Sequence, residues 1–296
     1  MSRFALLSKP DFASRSTPLR NALRRTHLVL AILMVMGGTM QPSRSQPFQL
    51  MDATIDDVKA AIASKRITCR ALVEQYIARI DAYDKRGPAL NAVQTINRRA
   101  VEDAARLDAA PAPVGPLHCV PILLKDQVET SDMPTTYGSA VFKDFVPQRD
   151  ATIVTKLKAA GAVIVAKATM GEYAQGYLGS AFGVVRNAYD PTRSASGSSG
   201  GTGSGIAANF ATVGIGEDTG GSIRGPAAVH SLVGLRPTVP LVSRFGMLPA
   251  RPSTDTLGPI GRSGQSSPGT YLGRSSREQK THVEAKRKGS RRLRGR

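Results

Sequence analysis

The sequence predicts an α/β fold with a mixed, largely parallel central sheet flanked by helices. Three observations carry this expectation. Amphipathic helical segments begin at Thr54. Short apolar runs of strand length, closing on charged residues, follow at 120–126 and 162–167. Helical text and glycine stops alternate with those runs.

The elements can be justified in order. "TIDDVKAAIASKRIT" (54–68) opens on a threonine N-cap with acids in the first turn, which satisfies free backbone N–H groups and suits the helix dipole. "CRALVEQYIARIDAYD" (69–84) sets Leu72, Val73, Tyr76, Ile77 and Ile80 on one face. "NRRAVEDAARLDAA" (97–110) is a third helix, ended by "PAPVGP". "VPILLKD" (120–126) is a buried strand closing on a charged pair. "DATIVTKLKAAG" (150–161) and "AVIVAK" (162–167) read as helix, glycine stop and strand. From Ser196 to Gly225, 10 of 30 residues are glycine. Apolar segments within that zone, "GIAANFATVGIG" and "AAVHSLVGLRPT", argue that the glycines bring backbone close to something rather than form a linker.

The ends differ from the middle. The formal charge of +18 sits mainly in residues 1–48, with 7 Lys/Arg against 1 acid, and in residues 262–296, with 11 against 2. The body between them is near neutral, so no specific nucleic-acid partner is expected; like-charge runs at chain ends are usually solvated. Basic residues from Arg3 to Arg25, the apolar run "LVLAILMVM" and a small-x-small pattern at Ser43 and Ser45 give residues 1–45 the plan of an export signal or a disordered N-terminus. The expected location is periplasmic or secreted, or cytoplasmic if the start codon is mis-assigned. The apolar run is too short for a stable membrane span. Residues 263–296 read as a basic, disordered tail.

No cofactor or metal is expected. Cys69, Cys119 and four histidines form no ligand spacing, and two free thiols are the preferred reading of the cysteines. A phosphate loop is excluded because no lysine lies between Lys167 and Lys280. Gly197–Gly201 matches G-x-S-x-G formally, but a polar turn precedes it where a nucleophile elbow needs a strand. A serine nucleophile served by a distant lysine remains. Lys125 ends a buried strand, where desolvation favours the neutral amine that can act as a base. A lysine merely paired with Asp126 is the structural alternative.

These residues carry a resemblance. "GPLHCVPILLKD", "MPTTYGS", "SGSSGGTGSG" and "GEDTGGSIRGPAA…GLRPT", with Ser222 24 positions after Ser198, resemble the amidase signature family of amide hydrolases. The resemblance implies that family's fold over residues 46–262 and a small-molecule amide substrate. It implies Ser222 as nucleophile, Lys125 as general base and Ser198, after a cis peptide bond, as the bridge between them. Thr219, Gly220, Gly221 and Ser222 are implied as the oxyanion hole, with Ser199, Asp218 and Arg224 in support. Cys119 and Ser196 stand where the family often has glycine. The likeness stops near Ser263, where family members continue, so a truncated or frameshifted chain with an incomplete sheet is expected. Two other functions fit the sequence: an A subunit-like glutamine-dependent tRNA amidotransferase, and a non-catalytic binding protein with a basic tail.

Overall fold

A computed structural model describes residues 47–264. The export-type segment and all but the first two residues of the basic tail lie outside these residues. In chain order the elements are α1 (Ile55–Ala63), α2 (Cys69–Tyr83), β1 (Val93–Ile96), α3 (Ala100–Asp108), β2 (Pro121–Lys125), α4 (Thr152–Ala159), β3 (Val163–Ala168), β4 (Leu178–Gly179), β5 (Gly183–Val184), α5 (Gly200–Ala207), β6 (Val213–Asp218), α6 (Arg224–Val229), β7 (Val233–Gly234) and β8 (Thr256–Gly261).

Six strands form one sheet in the order β1-β3-β2-β6-β8-β7. Its centre, β3-β2-β6, is parallel. Antiparallel strands flank that centre: β1 beside β3, then β8 and β7 beyond β6. The sheet is therefore mixed with a parallel core, as an α/β alternation requires.

The Thr54 cap falls where the sequence leads one to expect, and the other helix ends are fixed by contacts that the sequence reading did not name. Thr54 and Asp57 form a reciprocal capping box at α1. Thr68 caps α2 through Ala71 N–H, and Asp108 at the end of α3 accepts from the N–H groups of Cys69 and Arg70 at 2.7 and 2.9 Å. One carboxylate thus ties the end of α3 to the start of α2.

The sheet is covered on both faces. Ile122, Leu124, Ile164, Val213 and Ile215 pack with Leu72 and Tyr76 of α2 and Ile153, Val154 and Leu157 of α4. Leu123 and Val165 pack on the opposite face with Ile206 and Phe210, at and beyond the end of α5. Strand alternation separates Leu123 from its neighbours Ile122 and Leu124. Lys125, two residues further, falls on the α5 side with Leu123.

The cysteines correct the sequence expectation of free thiols. Cys69 and Cys119 are joined as a disulfide, with Cα atoms 5.2 Å apart and a sequence separation of 50. Both are buried. The start of α2 packs beside the segment that leads into β2. That proximity is tertiary and has no signature in cysteine spacing.

Candidate active site

Two parallel neighbours build the site at their carboxyl ends, where open α/β sheets commonly bind ligands. Strand β2 ends on Lys125, and β6 ends on Glu217 and Asp218. The loop after β6 carries Thr219–Ser222, and the turn into α5 carries Ser198 and Ser199.

Lys125 is wholly buried. Its Nζ lies 2.7 Å from Ser198 Oγ, 3.0 Å from Glu217 Oε2 and 3.4 Å from the Glu217 carbonyl. Burial pushes its ammonium down from the ordinary 10.5, and the Glu217 carboxyl, with more distant Asp218 and Asp255, only partly offsets this. Asp126 is not its partner. That carboxylate accepts from Thr136 N–H, Thr136 Oγ1 and Gly138 N–H at 2.7–3.0 Å, holding the loop after β2.

Ser198 follows a cis Gly197–Ser198 peptide, as the resemblance implied. Gly197 is fixed by space: a Cβ there would lie 1.7 Å from the Gly176 carbonyl oxygen. Ser196, in the position the family often gives to glycine, has a left-handed φ of 56°, and Cys119 has 64°. Both positions thus retain a glycine-type conformation with a small side chain.

Ser199 joins the two loops. Its hydroxyl donates to the Glu217 carbonyl at 3.1 Å and accepts the Glu217 N–H at 3.2 Å. Its own N–H donates to the Ser222 carbonyl at 3.2 Å. Ser222 is partly exposed, and its hydroxyl has no hydrogen-bond partner among the described residues. The lysine and Ser198 therefore form a buried pair, and the backbone of the candidate nucleophile is tied to Ser199, the residue after Ser198, by a hydrogen bond.

Asp218 holds the nucleophile loop. Its carboxylate accepts from Gly221 N–H (2.7 Å), Ile223 N–H (3.1 Å) and Arg224 Nε (3.1 Å), and also from Arg236 Nε at 3.2 Å. Burial pushes this carboxyl up, but the bonds from Arg224, Ile223 and Gly221 outweigh it and hold it below its ordinary value. The bracing role expected for Asp218 and Arg224 fits these contacts. Gly221, at φ 145°, donates its N–H to Asp218 in this structure. The N–H groups of Gly220 and Ser222 have no partner among the described residues, and they remain available to a negative oxygen.

Sequence reasoning missed Glu217, Asp255 and Arg236. Glu217 was in view as the residue before Asp218, and an acid directly after the apolar text of 206–216 was the signal. Asp255 reaches the site only because β8 pairs with β6, and Arg236 reaches it from the loop between β7 and β8. The side chains of metal-ligand type that cluster among the described residues are Cys69, His118 and Cys119. With its sulfurs bonded to each other, that group offers no thiolate to a metal.

Comparison with known proteins gives the family and the fold. The Amidase family matches residues 71–266. The A subunit of glutamyl-tRNA(Gln) amidotransferase from Alkaliphilus metalliredigens is 41% identical over 218 residues, which cover 72% of this chain and 44% of that protein. The crystal structure of native peptide amidase from Stenotrophomonas maltophilia superposes with a TM-score of 0.72 at 39% identity, covering 73% of this chain and 46% of that one. An amidase family protein from Bacillus anthracis gives 0.70 at 37% identity, with 72% and 45% covered. The chain spans less than half the length of each of these relatives. The matched residues contain both the buried Lys125–Ser198 pair and the Ser222 loop, and on that agreement of sequence and structure the chain belongs to the amidase family.

Proposed function

We propose that this chain cleaves a carboxamide C–N bond by acyl transfer to Ser222. The observation that carries the reading is the wholly buried Lys125 amine 2.7 Å from Ser198 Oγ, in a loop tied to Ser222 by Ser199. Ser222 Oγ attacks the carbonyl carbon and forms the new C–O bond. Its proton passes to Ser198 as Ser198 gives its own to Lys125. The tetrahedral oxygen takes its charge toward the N–H groups of Gly220 and Ser222, with Thr219 beside them; one such donor is worth about 10²–10³ in rate. Collapse breaks the C–N bond, and the amine leaves with the proton returned through Ser198. Water then hydrolyses the acyl-serine.

A fluorophosphonate probe with intact-mass readout tests this. One label on the wild-type chain and none on Ser222→Ala is the expected result. An unlabelled, folded wild-type chain overturns it.

The relatives favour a second reading, in which the same site releases ammonia for a partner, as an amidotransferase A subunit. Glutamine hydrolysis that appears only when other subunits are added separates it from direct cleavage of small amides. The pattern at 1–45 supports export under the first reading, and N-terminal sequencing of the protein recovered from cells, seeking cleavage after Ser45, tests that.

A further inference from the structure

The hydrogen bonds around Glu217 do not close unless an extra proton is present. Thr219 Oγ1 lies 2.8 Å from Glu217 Oε1 and 2.7 Å from Asp255 Oδ1. A hydroxyl has one hydrogen and can donate to only one of two carboxyls. The other oxygen–oxygen contact, equally short, requires a proton on a carboxyl. Glu217 and Asp255 are both buried. Asp255 accepts the Arg251 N–H at 3.0 and 2.8 Å on its two oxygens, which suits a carboxylate. The proton therefore belongs on Glu217 Oε1, donated to Thr219, which donates to Asp255.

This arrangement also satisfies Lys125 as a neutral amine. One N–H points to Glu217 Oε2, one to the Glu217 carbonyl, and the lone pair accepts the Ser198 hydroxyl. The charged groups facing the lysine are Glu217 and Asp218 from β6 and Asp255 from the loop before β8. Asp218 is held by Arg224 and Arg236.

We propose that Glu217 and Asp255 share one proton through the Thr219 hydroxyl, and that Glu217 becomes the anion at the moment Lys125 becomes the cation. When Lys125 takes the proton of Ser198, Glu217 Oε1–H passes to Thr219 Oγ1 and the former Thr219 hydrogen passes to Asp255 Oδ1. Glu217 ends as carboxylate and Asp255 as acid, so no net proton enters or leaves this set. The buried ammonium then faces a carboxylate at the 3.0 Å contact. The shift reverses when the amine leaves. Glu217 touches no substrate atom; it is a positioning residue that acts through Lys125.

The proposal rests on the acyl-transfer reading, and one experiment separates the two. The rate of Ser222 labelling by the fluorophosphonate is followed against pH for the full chain, Ser222→Ala, Glu217→Gln, Thr219→Val, Thr219→Ser and the Glu217→Gln/Thr219→Val double variant. Labelled wild type and unlabelled Ser222→Ala establish the reading first. Glu217→Gln and Thr219→Val each then slow labelling about 10- to 100-fold, the worth of one hydrogen bond to a charged group. The double variant is no slower than the worse single one. Loss of the carboxyl in Glu217→Gln also moves the acidic limb of the profile to lower pH by about one unit. Thr219→Ser, which keeps the hydroxyl, recovers the limb. If Glu217→Gln does not fold, the Thr219→Val and Thr219→Ser pair carries the test. Single effects that multiply in the double variant, or a Thr219→Val profile that superposes on wild type, overturn the proton relay alone. An unlabelled wild type overturns the reading beneath it.

Discussion

Lys125 Nζ and Ser198 Oγ lie 2.7 Å apart with both residues almost fully excluded from solvent, although they are 73 positions apart in the chain. A lysine in such a place is useful as a base only when neutral. Its burial, against the partial opposition of Glu217, brings the neutral form within reach at lower pH than in water.

Replacing Lys125 with Met removes the base and keeps the stem. Labelling of Ser222 is expected to fall about 10²- to 10⁴-fold. In the wild type the labelling rate rises with pH as Lys125 loses its proton, and the rise begins below the ordinary 10.5 because the group is pushed down. In Lys125→Met that rise disappears. A stopped assay across pH 6–10 checks both, and an unchanged profile would remove Lys125 from the base role.

Asp218 and Arg224 are partners of unequal weight. Asp218→Ala strips the loop of its acceptor for Gly221 and Ile223, so a loss of about 2–3 kcal/mol in stability and most of the labelling is expected. The Arg224 side chain is 56% exposed, and Arg224→Ala is expected to cost far less stability than Asp218→Ala, because an exposed ion pair is screened by solvent. Urea denaturation of the two variants compares them directly; equal losses would contradict this ranking.

Lys167 gives a pH signature of folding. It is buried on β3, donates to Thr135 Oγ1 at 2.8 Å, and is pushed down to about 8 by burial despite Asp126 and other nearby acids. Below about 8 the lysine holds its proton in both states and the folded state carries the burial cost. Between about 8 and 10.5 only the unfolded chain keeps the proton, so stability rises with pH. The gain is about 3 kcal/mol at most. Lys167→Met should lack that rise. Denaturant midpoints at pH 7 and pH 10 for both proteins decide it.

The Cys69–Cys119 bond closes a loop of 50 residues. Such a loop restricts the unfolded chain by about 4 kcal/mol. Cys119→Ser, or reduction under denaturing conditions, is therefore expected to lower the unfolding free energy by that amount, read from denaturant titration. Thiol titration of the unfolded, unreduced chain should find no free sulfhydryl; two would show that the bond is absent.

Much of the fold could be read from the sequence because it is local. The Thr54 cap, the apolar face of 69–84 and the buried runs ending at Lys125 and Lys167 each carry their own pattern. Strands β1 and β8 did not: "VQTI" is too short to show alternation, and "TLGPIG" carries two glycines and a proline, which read as loop. The site divides the same way. Lys125, Ser198, Ser222, Asp218 and Arg224 lie in motifs with their own text. Asp255, the disulfide, and the turn of Gly221 N–H onto Asp218 arise only when distant segments meet, so no spacing could announce them.

Helix α5 reads "GGTGSGIA", four glycines in eight residues. Relative to alanine they disfavour the helix by about 4 kcal/mol, and so short a segment does not nucleate alone. It exists because Thr202, Ile206 and the glycines themselves pack against β2, β3 and β6. The turn bearing Ser198 is therefore assembled by the sheet and has no independent existence in the unfolded chain. A molecule that reacts at Ser222 must already have closed its core, so the labelled fraction doubles as a census of folded protein, and a titration with denaturant would trace global unfolding through chemistry at one hydroxyl.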